Sequence, residues 1–312
     1  MAGTTPFRFG VQAASAPSGR AWRERARAAE DLGYSTLWVP DHLDDQWAPL
    51  VALTSAAEAT STLGVGALVF DNDYRHPAVL AKEIATLDLV SDGRVEFGLG
   101  AGWMRSDYDA HGLDYDPPGV RIDRMAEGLA VMKALWAPGV SSLAGKHYSL
   151  SSAMGQPKPL QRPHPPVLIG GGGRRLLSIA ARQADIVGFN ANLAPGVVGR
   201  EVARSALAER FDERVAWVRE AAGPRFSSLE LHCHTFICMV GAEPRSTAAA
   251  LAPTFGVSIE EALEVPIVMV GSVDHICEVL AERRERYGFS YWAIPADSAA
   301  AFAPVVSRLA GT

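Results

Sequence analysis

Eight short apolar runs, separated by stretches with helical periodicity, constrain this chain more than any other feature. The runs are F-R-F-G-V-Q (7–12), T-L-W-V-P (36–40), L-G-V-G-A-L-V-F (63–70) and R-V-E-F-G-L-G (94–100). P-V-L-I-G (166–170), D-I-V-G-F (185–189), L-E-L-H-C-H-T-F-I-C (229–238) and S-Y-W-A-I (290–294) follow. Between them, residues 20–32 place Trp22, Ala26, Ala29 and Leu32 on one stripe, with Gly33 where a C-terminal cap belongs. Residues 78–90 carry Leu80, Ile84 and Leu87; residues 121–136 carry Ile122, Met125, Leu129, Met132 and Trp136 at helical steps. Ser272 is a suitable N-cap for a helix holding Ile276, Leu280 and Tyr287. Strands alternating with helices imply a parallel sheet. Eight such units in 312 residues fit a (β/α)8 TIM barrel. An open doubly wound sheet would need a nucleotide loop after its first strand, where the chain has Q-A-A-S-A-P-S-G. The expectation is one barrel domain over 1–312 with insertions after strands 4 and 7, at about 101–120, 137–165 and 239–270. Long excursions at the C-terminal ends of barrel strands belong to active-site lids and binding loops.

Composition narrows the function. A net charge of −6 without a long basic run argues against nucleic-acid or anionic-membrane partners. No apolar stretch reaches the roughly 18 residues of a membrane span. The N-terminus M-A-G-T-T-P-F-R-F-G does not read as a signal peptide. Cys233, Cys238 and Cys277 lack metal-type spacing and read as free thiols of a cytoplasmic protein.

Four motifs carry possible chemistry. F-G-L-G-A-G-W (97–103) looks like a dinucleotide loop, but Trp103 stands where the third glycine of G-x-G-x-x-G belongs, and no helix opens after it. Its glycines either let the backbone run beside a flat ligand or pack a strand end against its neighbour. G-G-G-G (170–173) follows a strand and precedes a helix, so its backbone N–H groups, with Arg174 and Arg175 nearby, can hold a phosphate; a flexible turn is the competing reading. V-P-D-H-L (39–43) puts Asp41 and His42 at a strand end, as an orienter and a proton donor or as a cap and a satisfied histidine. His232 and His234 share one strand face and fit either a metal pair or structural histidines; the latter is favoured and no metal is expected.

Long blocks in order along nearly the whole chain resemble the bacterial luciferase-like monooxygenase family, within it the deazaflavin (coenzyme F420)-dependent oxidoreductases. They are A-E-D-L-G-Y-S-T-L-W-V-P-D-H (29–42), R-H-P-A-V-L-A-K-E-I-A-T-L-D-L-V-S-D-G-R-V-E-F-G-L-G-A-G-W (75–103), R-I-D-R-M-A-E-G-L-A-V-M-K-A-L-W (121–136), G-K-H-Y-S-L (145–150) and P-V-L-I-G-G-G-G (166–173). The resemblance implies a cofactor ring over the strand ends, resting on a third-strand bulge with a non-proline cis peptide near Ala67–Leu68. It places the cofactor phosphate on Gly171, Gly172 and Gly173, with Phe189 and Asn190 completing the site. It makes His42 the proton donor or ring orienter, with Asp41 fixing its tautomer or contacting the cofactor, and Trp103 a pocket wall; Trp47, Trp103 and Tyr108 read by themselves as the lining of an aromatic cavity, with core tryptophans as the alternative. The sugar-phosphate dehydrogenases of the family carry a glutamate where this chain has Trp103, which argues against glucose-6-phosphate as substrate. The implied activity is hydride transfer between F420 and a small organic molecule, in a homodimer. An FMN-dependent monooxygenase is the alternative; a metal-dependent barrel hydrolase and a non-catalytic cofactor-binding relative are remoter ones.

Overall fold

The computed structural model describes residues 5–312, and its main ladder of backbone hydrogen bonds closes on itself. Strands β1 (Arg8–Gln12), β2 (Thr36–Val39), β3 (Gly64–Ala67) and β4 (Val95–Gly100) are followed by β5 (Val167–Gly171), β6 (Ile186–Phe189), β7 (Glu230–His234) and β8 (Tyr291–Pro295). All pair in parallel in chain order, and β8 returns to β1 with Arg8 opposite Tyr291 and Gln12 opposite Pro295. The fold is the expected (β/α)8 barrel. Such strands are buried on both faces, which is why they read as unbroken apolar runs; every residue of β2, β3, β4 and β6 is buried.

The helices form as their spacing predicts. Helix α1 (Gly19–Asp31) buries Trp22, Ala26 and Ala29, the Ser18 hydroxyl accepts the Ala21 N–H, and Gly33 takes φ 81° beyond its end. Further on, α2 (Pro49–Ala59) and α3 (Pro77–Val90) cover the sheet, α4 (Arg105–His111) is a short insert helix, and α5 (Pro118–Trp136) and α6 (Arg174–Gln183) complete the first five units. Trp136 at the end of α5 packs edge-on against Phe97 of β4 and donates its Nε1–H to the Ala81 carbonyl of α3 at 2.9 Å. Ser272 caps the helix Val273–Tyr287 through the His275 N–H.

The barrel is a filled core. At its N-terminal end Arg8 bridges Glu96 and Glu230 and lies over the Tyr291 ring at 4.0 Å. Above that layer Trp38, Leu168, Ile186, Tyr291 and Ala293 pack together, and Leu68 and Val69 rest on them. Strand β3 leaves the ladder at these two residues, whose peptide bond is cis, and rejoins it where Phe70 and Asp71 pair with Leu99 and Gly100. The non-proline cis bond therefore lies at Leu68–Val69, one residue beyond the expected Ala67–Leu68.

The glycines of β4 explain that position. A Cβ on Gly98 would stand 2.1 Å from the Ala67 carbonyl oxygen, and one on Gly100 would stand 2.5 Å from Val69 Cγ2. The alternating glycines make room for the neighbouring strand's bulge, the packing alternative of the two readings above.

Three excursions depart from the expected ones. The run 229–238 divides, because Thr235 N–H still donates to Ala293 of β8 whereas Phe236 N–H donates to Ile267. The second half, Ile237–Val240, pairs with Val268–Gly271 in a separate two-stranded parallel sheet. Residues 137–165 leave the end of α5, not a strand end. They carry the hairpin Ser141–Ala144 and Ser149–Ala153, pinned by the Glu127 carboxylate, which accepts the Lys146, His147 and Tyr148 N–H groups. A further loop, 190–199, follows β6.

Replacing Gly98 by Ala is expected to cost about 1–3 kcal/mol through overpacking. Gly199, at φ −172° and with no heavy atom within 4 Å of the place a Cβ would take, serves as the control; its Ala variant, at a helix N-cap, should cost at most about 1 kcal/mol. Chemical denaturation of both variants checks this.

Candidate active site

The C-terminal ends of the strands enclose a cavity of about 360 Å3. Asp41 and His42 enter it from β2, Leu68 and Val69 form a shelf from the β3 bulge, and Gly170–Gly173 border it from β5. Phe189 and Asn190 come from β6, His234 from β7, and Trp103 and Met104 from the loop after β4. Two residues expected here lie elsewhere. Ala67 is fully buried behind the shelf, and Trp47 packs on Trp22 of α1 at 5.4 Å between ring centroids, on the side of the core.

His42 is held by a residue no motif singles out. Its Nδ1 lies 2.7 Å from Asp107 Oδ2 of α4, and the Tyr74 hydroxyl donates to the same oxygen at 3.0 Å. A carboxylate on Nδ1 fixes the proton there and leaves Nε2 as the working nitrogen. Trp103 stands edge-on to the imidazole, 5.7 Å away at 89°. Asp41 does not take the orienting role. Both its oxygens are clamped by Arg75, at 2.5 and 3.1 Å, and Oδ2 also accepts the Asp71 N–H. The available sequence signal for Tyr74 and Arg75 is the polar run D-N-D-Y-R-H at the end of the third strand; Asp107 has none.

Asp71 is a second buried carboxyl group on the cavity wall, 6% exposed. Burial, reinforced by the nearby Asp73 and Asp41 charges, raises its pKa to about 7. The Tyr108 hydroxyl lies 2.9 Å from its Oδ2.

The glycine run opens α6 with no side-chain cap, so the first N–H groups of that helix face the cavity border without a side-chain partner. A Cβ on Gly172 would collide with the Ala191 carbonyl at 2.3 Å, whereas one on Gly173 would meet only Asn192 Oδ1 at 3.9 Å. Gly172 is thus demanded by packing, and Gly173 leaves a hollow at the helix N-terminus that fits an anionic group. The guanidinium groups of Arg174 and Arg175 point to the rim, engaging Glu220 and Asp123.

His232 and His234 are neutral. Burial pushes His234 down to about 4 and His232 well below its ordinary value. His232 lies edge-on to Tyr291 and next to Trp38 inside the barrel, and neither of its nitrogens has a partner among the described residues. Among the described residues no group of three or more His, Cys, Asp or Glu side chains is placed to hold a metal ion. Nor is any described helix long and apolar enough to cross a membrane.

The family profile for luciferase-like monooxygenases matches residues 1–238. The chain belongs to that family. Among its relatives, the FMNH2-dependent dimethylsulfone monooxygenase of Pseudomonas putida is 30% identical over 49% of this chain and 42% of its own. The F420-dependent glucose-6-phosphate dehydrogenase of Amycolatopsis mediterranei is 30% identical over 52% of this chain and 50% of its own. The chain spans at most 64% of the length of the curated relatives it matches first. Coenzyme F420-dependent tetrahydromethanopterin reductase from Methanopyrus kandleri superposes with a TM-score of 0.79 at 18% identity, over 98% of this chain and 99% of its own. This luciferase-like chain thus shares its fold with an F420-dependent enzyme, and its named relatives depend on F420 or FMNH2.

The His42–Asp107 contact predicts a slowly exchanging imidazole N–H resonance in the ligand-free protein. Asp107→Ala should abolish it and Asp41→Asn should leave it in place, as proton NMR at low temperature will show.

Proposed function

We propose that this protein is an oxidoreductase that moves a hydride between coenzyme F420 and a small organic molecule, as a single-domain cytoplasmic homodimer. The observation that carries the reading is the meeting, in one cavity, of a shelf at Leu68–Val69, an anion hollow at Gly173, and a carboxylate-held histidine. When bound, the deazaflavin supplies two-electron hydride chemistry at its C5 position, and the protein supplies orientation and proton management.

In this reading Leu68 and Val69 support the ring from below, with Ala67 behind them. Gly171, Gly172 and Gly173 hold the phosphate at the α6 N-terminus, beside Phe189 and Asn190. His42 Nε2 gives a proton to, or takes one from, the substrate heteroatom. Asp107 holds the ring in the tautomer that allows this and stabilises the imidazolium form. Asp41 acts one step removed, by fixing Arg75 and the Asp71 backbone. Trp103 and Met104 wall the cavity and exclude water, which strengthens every charge interaction inside it. The three unpaired cysteines suit a reducing compartment.

The second reading, an FMN-dependent monooxygenase, is favoured by the Pseudomonas relative. Fluorescence titration with each cofactor separates them: tighter binding of F420 is expected, and preferential binding of FMN would replace the first reading by the second. Gly173→Ala should cost at most about 1 kcal/mol of stability yet weaken cofactor binding clearly. His42→Ala should lower kcat by about 10²-fold or more with cofactor affinity nearly unchanged, measured by steady-state kinetics once a substrate is in hand.

A further inference from the structure

The Tyr108 hydroxyl is approached by two carboxyl groups at once. Its oxygen lies 2.9 Å from Asp71 Oδ2 and 3.1 Å from Asp73 Oδ2. A phenol has one proton and donates one hydrogen bond. With both carboxyl groups ionised, one of the two contacts would be between lone pairs. Both contacts become hydrogen bonds if one carboxyl carries a proton and donates it to the phenol oxygen. Arg124 decides which one: its Nε and Nη2 hold the two oxygens of Asp73 at 2.7 and 2.8 Å, which keeps Asp73 ionised. Among the described residues no cation pairs with Asp71. Arg75 is engaged by Asp41, and the Arg121 guanidinium bonds the Ala101 and Asp116 carbonyls.

We propose that Asp71 is a neutral carboxylic acid in the resting protein below neutral pH, and that Asp71, Tyr108 and Asp73 form a proton relay between the cavity and the Arg124–Asp116 rim. Asp71 lies on the cavity wall, whereas the Asp116 side chain is 36% exposed. A proton passed from Asp71 to a substrate anion leaves a carboxylate. A proton taken up from solvent at Asp73 then passes to the Tyr108 oxygen as the phenol proton moves to Asp71, so that no phenolate forms between the two carboxylates. Gly102, at φ 70°, makes the approach sterically feasible, since a Cβ there would lie 2.6 Å from Asp71 Oδ2 and closer still to the Tyr108 oxygen. The groups facing Asp71 are Asp41, Asp73, Tyr74, Arg75 and Tyr108. Burial and the two aspartates act in the direction of a raised pKa. The relay rests on the redox reading above; the neutral acid does not.

The neutral acid is tested by carbon-13 NMR titration of the ligand-free protein, with the Asp71 carboxyl signal identified by its absence in Asp71→Asn. The expected midpoint is near 7, and Asp73→Asn should lower it. Should Asp71→Asn not fold, displacement of the signal in Tyr108→Phe identifies it. A parent midpoint near the ordinary value of about 4 overturns the assignment whatever the cofactor is. Stability supplies a second readout. A folded pKa above the unfolded one means the folded state binds more protons in between, so stability falls as pH rises from about 4 to about 7. Asp71→Asn should remove that part of the fall. For the relay, Tyr108→Phe should lower kcat by about tenfold or more, short of the loss of a direct proton donor, with KM unchanged and the pH profile altered. Parent-like kcat and pH profile in a folded Tyr108→Phe overturn it.

Discussion

The contact on which the cavity depends is that of the Ala67 carbonyl and the Val69 side chain with two side-chain-free positions of β4. Any Cβ at Gly98 or Gly100 would occupy space that the β3 bulge fills. Because interiors are close-packed, the bulge has no alternative place to go. The shelf it forms rests on Trp38 and Tyr291, and these stand over the Arg8–Glu96–Glu230 cluster. A column of contacts thus runs from the closed end of the barrel to the floor of the cavity, and the height of that floor is set by residues with no ligand contact of their own.

The cavity is rich in carboxyl groups, and nearly all are balanced individually. Asp41 has Arg75, Asp73 has Arg124, and Asp107 has His42 and the Tyr74 hydroxyl. Pairing at this density keeps the electrostatic environment local, since each of these carboxylates has a guanidinium or a hydrogen-bond donor within hydrogen-bond length. Asp71 is the exception: burial, with the Asp73 and Asp41 charges beside it, raises its pKa, and among the described residues no cation pairs with it to offset them.

How much of this was legible depended on whether a residue's neighbours are near in sequence. The eight strands could be read because burial on both faces writes itself as an apolar run, and α1 because Trp22, Ala26 and Ala29 recur on one face. The glycine run at 170–173 announced a strand-to-helix junction. Asp107 could not be read, because its partner His42 lies 65 positions away and only the placement of α4 brings them together. Trp47 misled because an aromatic side chain suits a core as well as a cavity, and here Trp22 claims it. The run 229–238 looked continuous because the change of partner at Phe236 is made by backbone groups, which leave no trace in side-chain pattern. The cis bond lies at Leu68–Val69, one residue past the place that the resemblance implies, and the room for its bulge is left by Gly98 and Gly100 on another strand.

The loop after β4 carries both Trp103, which walls the cavity, and, on the helix it leads into, Asp107, which holds His42. It is joined to the loop after β6 by the Arg105 N–H donating to the Gly196 carbonyl, and the Tyr115 hydroxyl bonds the Trp103 carbonyl. The cavity wall and the support of His42 are therefore carried by one segment. A displacement of this segment wide enough to carry Trp103 and α4 off the mouth would also carry Asp107 off the imidazole. The cavity wall and the carboxylate on the imidazole therefore cannot be positioned independently of each other.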